Sequence, residues 1–344
     1  MAARIHTIGL DIAKDVFQVH AVDAKGRVVL RKQLKRLEMP KFFRSLKPCL
    51  IGIEATGEAH NWGRILKDFG HDVRLIPPSF VKPYVKANKS DARDAEAICE
   101  AVQRPNMRFV SIKSEKQQAQ LIIHRARELF VRQRTNLINA LRSHLSEFGV
   151  VANKGADGAK ATLAFVGSAS FKKLPLEVRR ILQLFVDQLQ SLEAPLQRCE
   201  ELIERAHRAS VGSQRLVTIP YIGPLTATAI IATVGDAHQF RHARDFAAWI
   251  GLVPRQLSSG GKQRLGRISK RGNLYLRKLF YLAAARAARS SKFARTQAGQ
   301  WALSLRRRKP YRVAIIALAA KMARIAWALL VRKSEFHGVA PATI

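Results

Sequence analysis

The chain begins with short apolar runs separated by turn residues. Arg4 to Leu10 reads as a β-strand that ends in Asp11, and Val16 to Val22 reads as a second. The turn Asp23-Ala24-Lys25-Gly26 leads to a third strand from Val28. Strands joined this tightly predict an antiparallel meander. A short helix near Met39 to Leu46 then leads to the apolar strand Leu50-Ile51-Gly52-Ile53, which delivers Glu54 at its C-terminal end. His60 to Phe69 is amphipathic, and Val73 to Ile76 is a further short strand stopped by Pro77-Pro78. The next helix opens with Ser90-Asp91-Ala92-Arg93-Asp94-Ala95-Glu96. Ser90 or Asp91 suits the N-cap, and acids in the first turn complement the helix dipole.

Beyond this α/β segment the pattern becomes helical. Glu115 to Phe148 contains no Gly or Pro and predicts one long helix, followed by a loop-like stretch from Asn153 to Ser170. A second long helix carries Val178, Leu182, Phe185, Leu189, Leu192, Leu196, Cys199, Ile203 and Ala206 in alternating steps of four and three. That heptad seam fits either one face of a packed helical hairpin or a coiled-coil contact between two copies. Pro195 lies inside the seam and predicts a kink or a split. After Arg215, the turn Ile219-Pro220-Tyr221-Ile222-Gly223-Pro224 resembles a helix-hairpin-helix, whose amides can hold a DNA phosphate. Helices over Leu274 to Arg289, Ser291 to Leu305 and Tyr311 to Arg332 complete the pattern. The expected organisation is an α/β domain over residues 1–112 and a long-helix coiled-coil region with an inserted loop over 113–210. A mostly α-helical domain over 211–335 and a tail over 336–344 follow.

Charge narrows the function. Lys and Arg total 60 against 25 Asp and Glu, a formal net charge of +35 in 344 residues. Self-repulsion at that imbalance opposes a compact state unless a polyanion offsets it. The basic residues run through the whole chain, with extra density from Arg241 to Arg332, which is the footprint of nucleic acid and not of a membrane anchor. The most apolar stretch, Val313 to Val331, holds Lys321 and Arg324 near its middle and reads as a core helix. Cys49, Cys99 and Cys199 are scattered and fit neither a disulfide framework nor a zinc site. The N-terminus has no signal-peptide core, so a cytoplasmic location is expected.

In so basic a chain the placement of acids is informative. Asp11 ends the first strand, Glu54 ends the fourth, and Asp91 and Asp94 lie three apart at a helix start, on one side of it. In a ribonuclease-H-like sheet the first and fourth strands are neighbours, which sets Asp11 beside Glu54 with the helix over both. Four converging carboxylates need cations, and two Mg²⁺ ions about 3.5–4 Å apart would satisfy them and clamp a phosphodiester. Each residue alone could equally cap a turn or complement a helix dipole.

A second group surrounds Ser258-Ser259-Gly260-Gly261. Arg255 precedes it, and Lys262, Arg264, Arg267, Lys270, Arg271 and Arg277 follow. A serine among these cations suits attack on a phosphate, since guanidinium groups neutralise charge developing on the phosphoryl oxygens. The plainer reading is a basic loop that only grips the backbone.

Taken together, GLDIAK around Asp11, GIEATG around Glu54 and KSDARDAEAI around Asp91 and Asp94 resemble the DEDD tetrad of a bacterial transposase family, insertion-sequence family one hundred and ten, which includes the pilin-gene invertase. TIPYIGPLTATAII and AAWIGLVPRQLSSGGKQRLGRISKRGNLYLRK resemble that family's C-terminal domain. The resemblance implies a RuvC-like N-terminal domain holding Mg²⁺, or Mn²⁺ in its place, on Asp11, Glu54, Asp91 and Asp94. It implies a serine nucleophile, carried to Ser259 with Ser258 in reserve. It also implies donor and target DNA, a structured bridge RNA that pairs with both, and a homodimer that assembles to a tetramer with active sites composed from two subunits. Two other readings stay open at this point. One is a Holliday-junction or structure-specific nuclease with water as nucleophile, and the other is a non-catalytic binder.

Overall fold

In the computed structural model, which describes residues 4–86, 90–153, 155–257, 260, 262 and 264–337, the first three apolar runs pair side by side in one sheet. β1 (Thr7–Ile12) pairs antiparallel with β2 (Val16–Val22), and β2 pairs antiparallel with β3 (Val28–Lys35). After α1 (Met39–Arg44), β4 (Leu50–Glu54) enters parallel to β1 on its free side, with Gly9 opposite Gly52 and Leu10 opposite Ile53. α2 (Ala59–Asp68) crosses to β5 (Asp72–Ile76), which is parallel to β4. The resulting order is β3-β2-β1-β4-β5. α3 (Pro78–Val81) and α4 (Asp91–Val102) close this first unit, Met1–Glu115.

Successive strand residues face opposite sides of the sheet. Ile8, Leu10, Ile51 and Ile53 point into a core with Phe17, Phe43, Trp62 and Leu66. Gly9 and Gly52 point the other way, toward α4. A Cβ on Gly9 would stand 2.0 Å from the Ala95 carbonyl oxygen, and one on Gly52 would stand 2.7 Å from the Val102 Cβ. Neither is possible without displacement. The two glycines therefore let the helix backbone rest directly on the strands.

The second unit, Lys116–Ile344, is described by itself. α5 (Glu115–Ser146) is the long helix the sequence predicts. α6 (Ala156–Val166) lies where the sequence reads as a loop. Gly155 and Gly167 cap its two ends, and between them the run from Lys160 to Phe165 is good helix former, with Phe165 packed edge-on to Phe171 at 6.2 Å. α7 (Leu176–Ser191) and α8 (Glu193–Arg208) divide the heptad helix at Leu192. Pro195 falls in the first turn of α8, where a missing amide costs no hydrogen bond.

Most of the seam is buried within this chain, with Val178, Phe185 and Ala206 partly covered. Leu182 and Leu189 pack with Leu141 and Leu145 of α5, while Leu196, Cys199 and Ile203 are covered on α8. Of the two readings, the helical-hairpin face is the one seen, because the chain's own helices already cover these side chains.

α9 (Val211–Leu216) and α10 (Pro224–Val234) flank the Ile219–Gly223 turn. α11 (Ala243–Ile250), the hairpin β6 (Pro254–Gln256) and β7 (Leu265–Ile268), α12 (Leu274–Ala287), α13 (Ser291–Ala294), α14 (Gln297–Arg308) and α15 (Tyr311–Arg332) follow. α15 is long and apolar enough to cross a membrane by length and composition. Here it is a core helix: Ile315, Leu318, Met322 and Leu329 are buried with Phe246, Leu276 and Phe280. Three neutral groups tie the long helix into this core. His124 of α5 bridges the Tyr275 hydroxyl at 3.1 Å and the Thr228 hydroxyl at 3.1 Å. Burial holds His124 down at about 4, so the ring is neutral.

Candidate active site

Asp11 is the fifth residue of β1 and Glu54 the last of β4, so adjacent parallel strands carry both carboxylates to one edge of the sheet. Asp91 and Asp94 occupy the first turn of α4, whose entry is set by Ser90 in extended conformation. Carboxylate oxygens of Asp11, Asp91 and Asp94 lie within 4.8 Å of one another. Because α4 rests on Gly9, its first turn is held over the end of β1, and that contact places the aspartates.

The electrostatics follow from this crowding. Partial burial, then the negative charges of Asp94, Asp91 and Glu54, push the Asp11 carboxyl from 3.8 up to about 6. The Ile12 amide opposes this only in part. Two carboxylates that cannot ionise comfortably together favour either a shared proton or a cation between them. The oxygen-only donor set suits a hard divalent cation, and the Asp11–Asp91–Asp94 group can hold one. Glu54 is near enough to act on Asp11 electrostatically but lies outside the close group of three. On the flank of α4, Lys86 donates to Glu96 at 2.9 Å, which leaves that acid below its ordinary range and separate from the metal group.

Ser258 and Ser259 lie outside the described residues. The strands on either side are described. β6 and β7 pair antiparallel, and the Leu257 amide donates to the Arg264 carbonyl at 2.8 Å. Arg255 and Arg267 are exposed on the two strands, and Lys262, Lys270 and Arg271 are also exposed. The structure thus brings these cations onto one short hairpin and its base. Arg277 differs from the rest. It is half-buried, and its Nη1 donates to the carbonyls of Ile250 at 2.8 Å and Arg271 at 2.9 Å. It pins the hairpin base, where Gly251 and Gly272 cross so closely that a Cβ on Gly272 would sit 1.7 Å from the Trp249 carbonyl oxygen.

Sequence reasoning missed Gly9 and Gly52 as functional residues. The signal was present, since a glycine precedes each acid by two positions in IGLD and IGIE. Only the packed helix shows what the missing side chain makes room for.

A mixed sheet whose β1 end brings Asp11 against Asp91 and Asp94 of α4, in a chain of net charge +35, fits the class of nucleic-acid-processing enzymes, with an acidic corner able to hold a cation. A DEDD transposase family model of the IS110 group matches residues 8–150, and the model of the transposase IS116/IS110/IS902 family matches residues 213–299. The chain is 50% identical over 331 residues to a "probable family 20 transposase" of Pseudomonas aeruginosa, covering 96% of this chain and 98% of that one. It is 39% identical to the transposase for insertion sequence element IS1111A of Coxiella burnetii, over 97% of this chain and 92% of that one. It is also 36% identical to the transposase for insertion sequence element IS1328 of Yersinia enterocolitica, over 96% and 98%. The chain belongs to the IS110 family of DEDD transposases, enzymes of insertion sequences that cleave and transfer DNA.

Proposed function

We propose that this transposase recombines DNA through a covalent serine–phosphate ester, with Mg²⁺ held by Asp11, Glu54, Asp91 and Asp94. The observation that supports this best is the convergence of Asp11, Asp91 and Asp94 at the strand ends of a β3-β2-β1-β4-β5 sheet. That order and those strand directions match a RuvC-like, ribonuclease-H-type domain. When bound, the cations neutralise charge on the scissile phosphate and orient it.

The chain's residues supply the remainder. Ser259 Oγ forms a bond to phosphorus while the bond from phosphorus to a sugar oxygen breaks. The serine gives up its proton and the leaving oxygen takes one up. The ester conserves the bond for rejoining, when a hydroxyl of another strand attacks phosphorus and frees the serine. Arg255, Lys262, Arg264, Arg267, Lys270 and Arg271 balance charge on the phosphoryl oxygens, and Arg277 keeps their hairpin anchored.

On this reading donor and target are chosen by pairing with a structured bridge RNA, so the protein reads backbone and shape. The working particle is a homodimer assembling to a tetramer in the bacterial cytoplasm, at the nucleoid. The serine hairpin of one subunit meets the acidic corner of another.

The test is to trap the adduct with Mg²⁺ and a cognate DNA–RNA set. Ser259→Ala should abolish both adduct and strand transfer while Ser258→Ala retains them, and sequencing of co-purified RNA should yield one discrete species. Free 5′-phosphate ends with no protein adduct would instead assign a water nucleophile, as in a RuvC-like nuclease.

A further inference from the structure

Between Phe246 and Ser334 the chain carries 21 Lys and Arg residues and no Asp or Glu. Most of these cations are exposed, where water screens them. Two are not. Lys321 and Arg324 lie one turn apart on the core helix α15, and both are only half-exposed. α15 packs against α11, which brings Arg244 from the first turn of α11 to Arg324. Lys321 stacks its ammonium over the Trp301 ring at 4.8 Å.

Among the described residues none of these three cations pairs with a carboxylate. The neighbouring acid, Asp245, is turned away to accept from the His242 amide at 3.0 Å. Burial holds Lys321 and Arg324 below their ordinary values, and each is lowered further by a neighbouring cation. Half-buried like charges with no counterion oppose folding. Their persistence on a core helix indicates that an anion completes the site.

We infer that Arg244, Lys321 and Arg324 form a phosphate-binding site on the α11–α15 face of the second unit, which holds the backbone of a nucleic-acid duplex apart from the serine hairpin. α11 separates the two places. Arg244 stands at its N-terminal end and the hairpin leaves its C-terminal end, so they are roughly 10 Å apart along the helix at 1.5 Å per residue. At 3.4 Å per phosphate along one strand that is about three phosphates. A duplex gripped at the hairpin therefore reaches the cluster without bending. The inference rests on the nucleic-acid reading of this unit and needs neither the serine ester nor the bridge RNA.

The experiment uses the full chain, its Arg324→Met and Arg244→Met variants, which keep much of the apolar stem, and Arg324→Lys, which keeps the charge. Binding to a short DNA duplex and to an RNA duplex is titrated against salt, and melting is followed in inorganic phosphate against chloride at equal ionic strength. Each Met variant should weaken duplex binding about tenfold near 0.15 M salt and flatten the slope of log K against log salt by about 0.9. Arg324→Lys should retain the slope. Phosphate should raise the Tm of the wild type and leave that of Arg324→Met unmoved, while in chloride Arg324→Met melts no lower than the wild type.

Unchanged slope and affinity in both Met variants overturn the backbone assignment. If the phosphate effect on Tm is lost while the slope holds, the site belongs to a free anion and the assignment to a duplex is overturned as well. A lowered Tm in chloride shows that Arg324 is simply structural. A wild type that binds neither duplex overturns the nucleic-acid reading itself, which is a distinct result.

Discussion

At the edge of the first unit's sheet, three carboxylates share a space within 4.8 Å. On the α11–α15 face of the second unit, Arg244, Lys321 and Arg324 crowd together without an acid among the residues from 246 to 334. Each group has two partly buried members and one exposed one, Asp91 among the acids and Arg244 among the cations, and no ion pair within the described residues neutralises either. They differ in sign, and in how the fold holds them. The acids sit on strand ends and a first helical turn, fixed by backbone contact at Gly9. The cations sit on long stems that pack along helices. Uncompensated buried charge therefore marks where a ligand belongs, and its sign states which kind.

The largest effect should come from neutralising the acidic corner. Asp11→Asn or Asp94→Asn should lower strand cleavage by at least ~10³-fold while duplex binding stays within a few-fold of wild type. A loss of binding in parallel with cleavage would break the division of labour between the two regions.

Next comes the contact that positions the acids. Gly9→Val forces α4 off β1 and should cost ~3 kcal/mol or more in denaturant unfolding, the upper range for overpacking. An unchanged midpoint would show that α4 does not rest on β1 as described.

A third outcome concerns pH. Asp11 titrates at about 6 in the folded chain, against 3.8 ordinarily. The folded state thus holds its proton more tightly. The resulting stabilisation is whole below 3.8, falls as pH rises, and is gone above about 6. In chelator, Tm should therefore decline from pH 4 to pH 7, and divalent cation should restore more at pH 7 than at pH 4. Asp11→Asn should remove that decline. A flat wild-type profile would mean that neither burial nor the neighbouring acids hold the Asp11 proton.

The smallest effects separate members of the basic set. Arg277→Ala deprives the carbonyls of Ile250 and Arg271 of a donor and should cost ~2 kcal/mol of stability. Arg255→Ala should leave stability within ~0.5 kcal/mol and take about 0.9 from the salt slope. If the two variants behave alike, the distinction between anchor and contact is wrong.

Much of the acidic corner was legible in the sequence, because strand and helix periods are local. Asp11 and Glu54 follow apolar runs too short to be anything but strands, and the Ser90–Glu96 segment carries its own start signal. What could not be read was the depth of the α4 contact, which depends on side chains that are absent. The heptad seam was legible as a pattern but not as a destination. A stripe of Leu and Ile states that something covers it, while whether that is α5 or another copy depends on long-range packing. α6 was missed because glycines at helix ends and glycines in loops look alike in composition. Arg277 was grouped with its neighbours because spacing shows a cation's place in the chain and not the carbonyls within its reach.

The contiguity of the first unit carries a temporal consequence. All five strands and α4 lie before residue 103, and the unit ends at Glu115. Domains fold largely as units, N-terminal first, while the chain is still being synthesised. The acidic corner can therefore be complete on the ribosome while the hairpin and its cations, some 140 residues further on, do not yet exist. A nascent chain therefore passes through a stage in which the acidic corner is folded before any of the hairpin cations has been made.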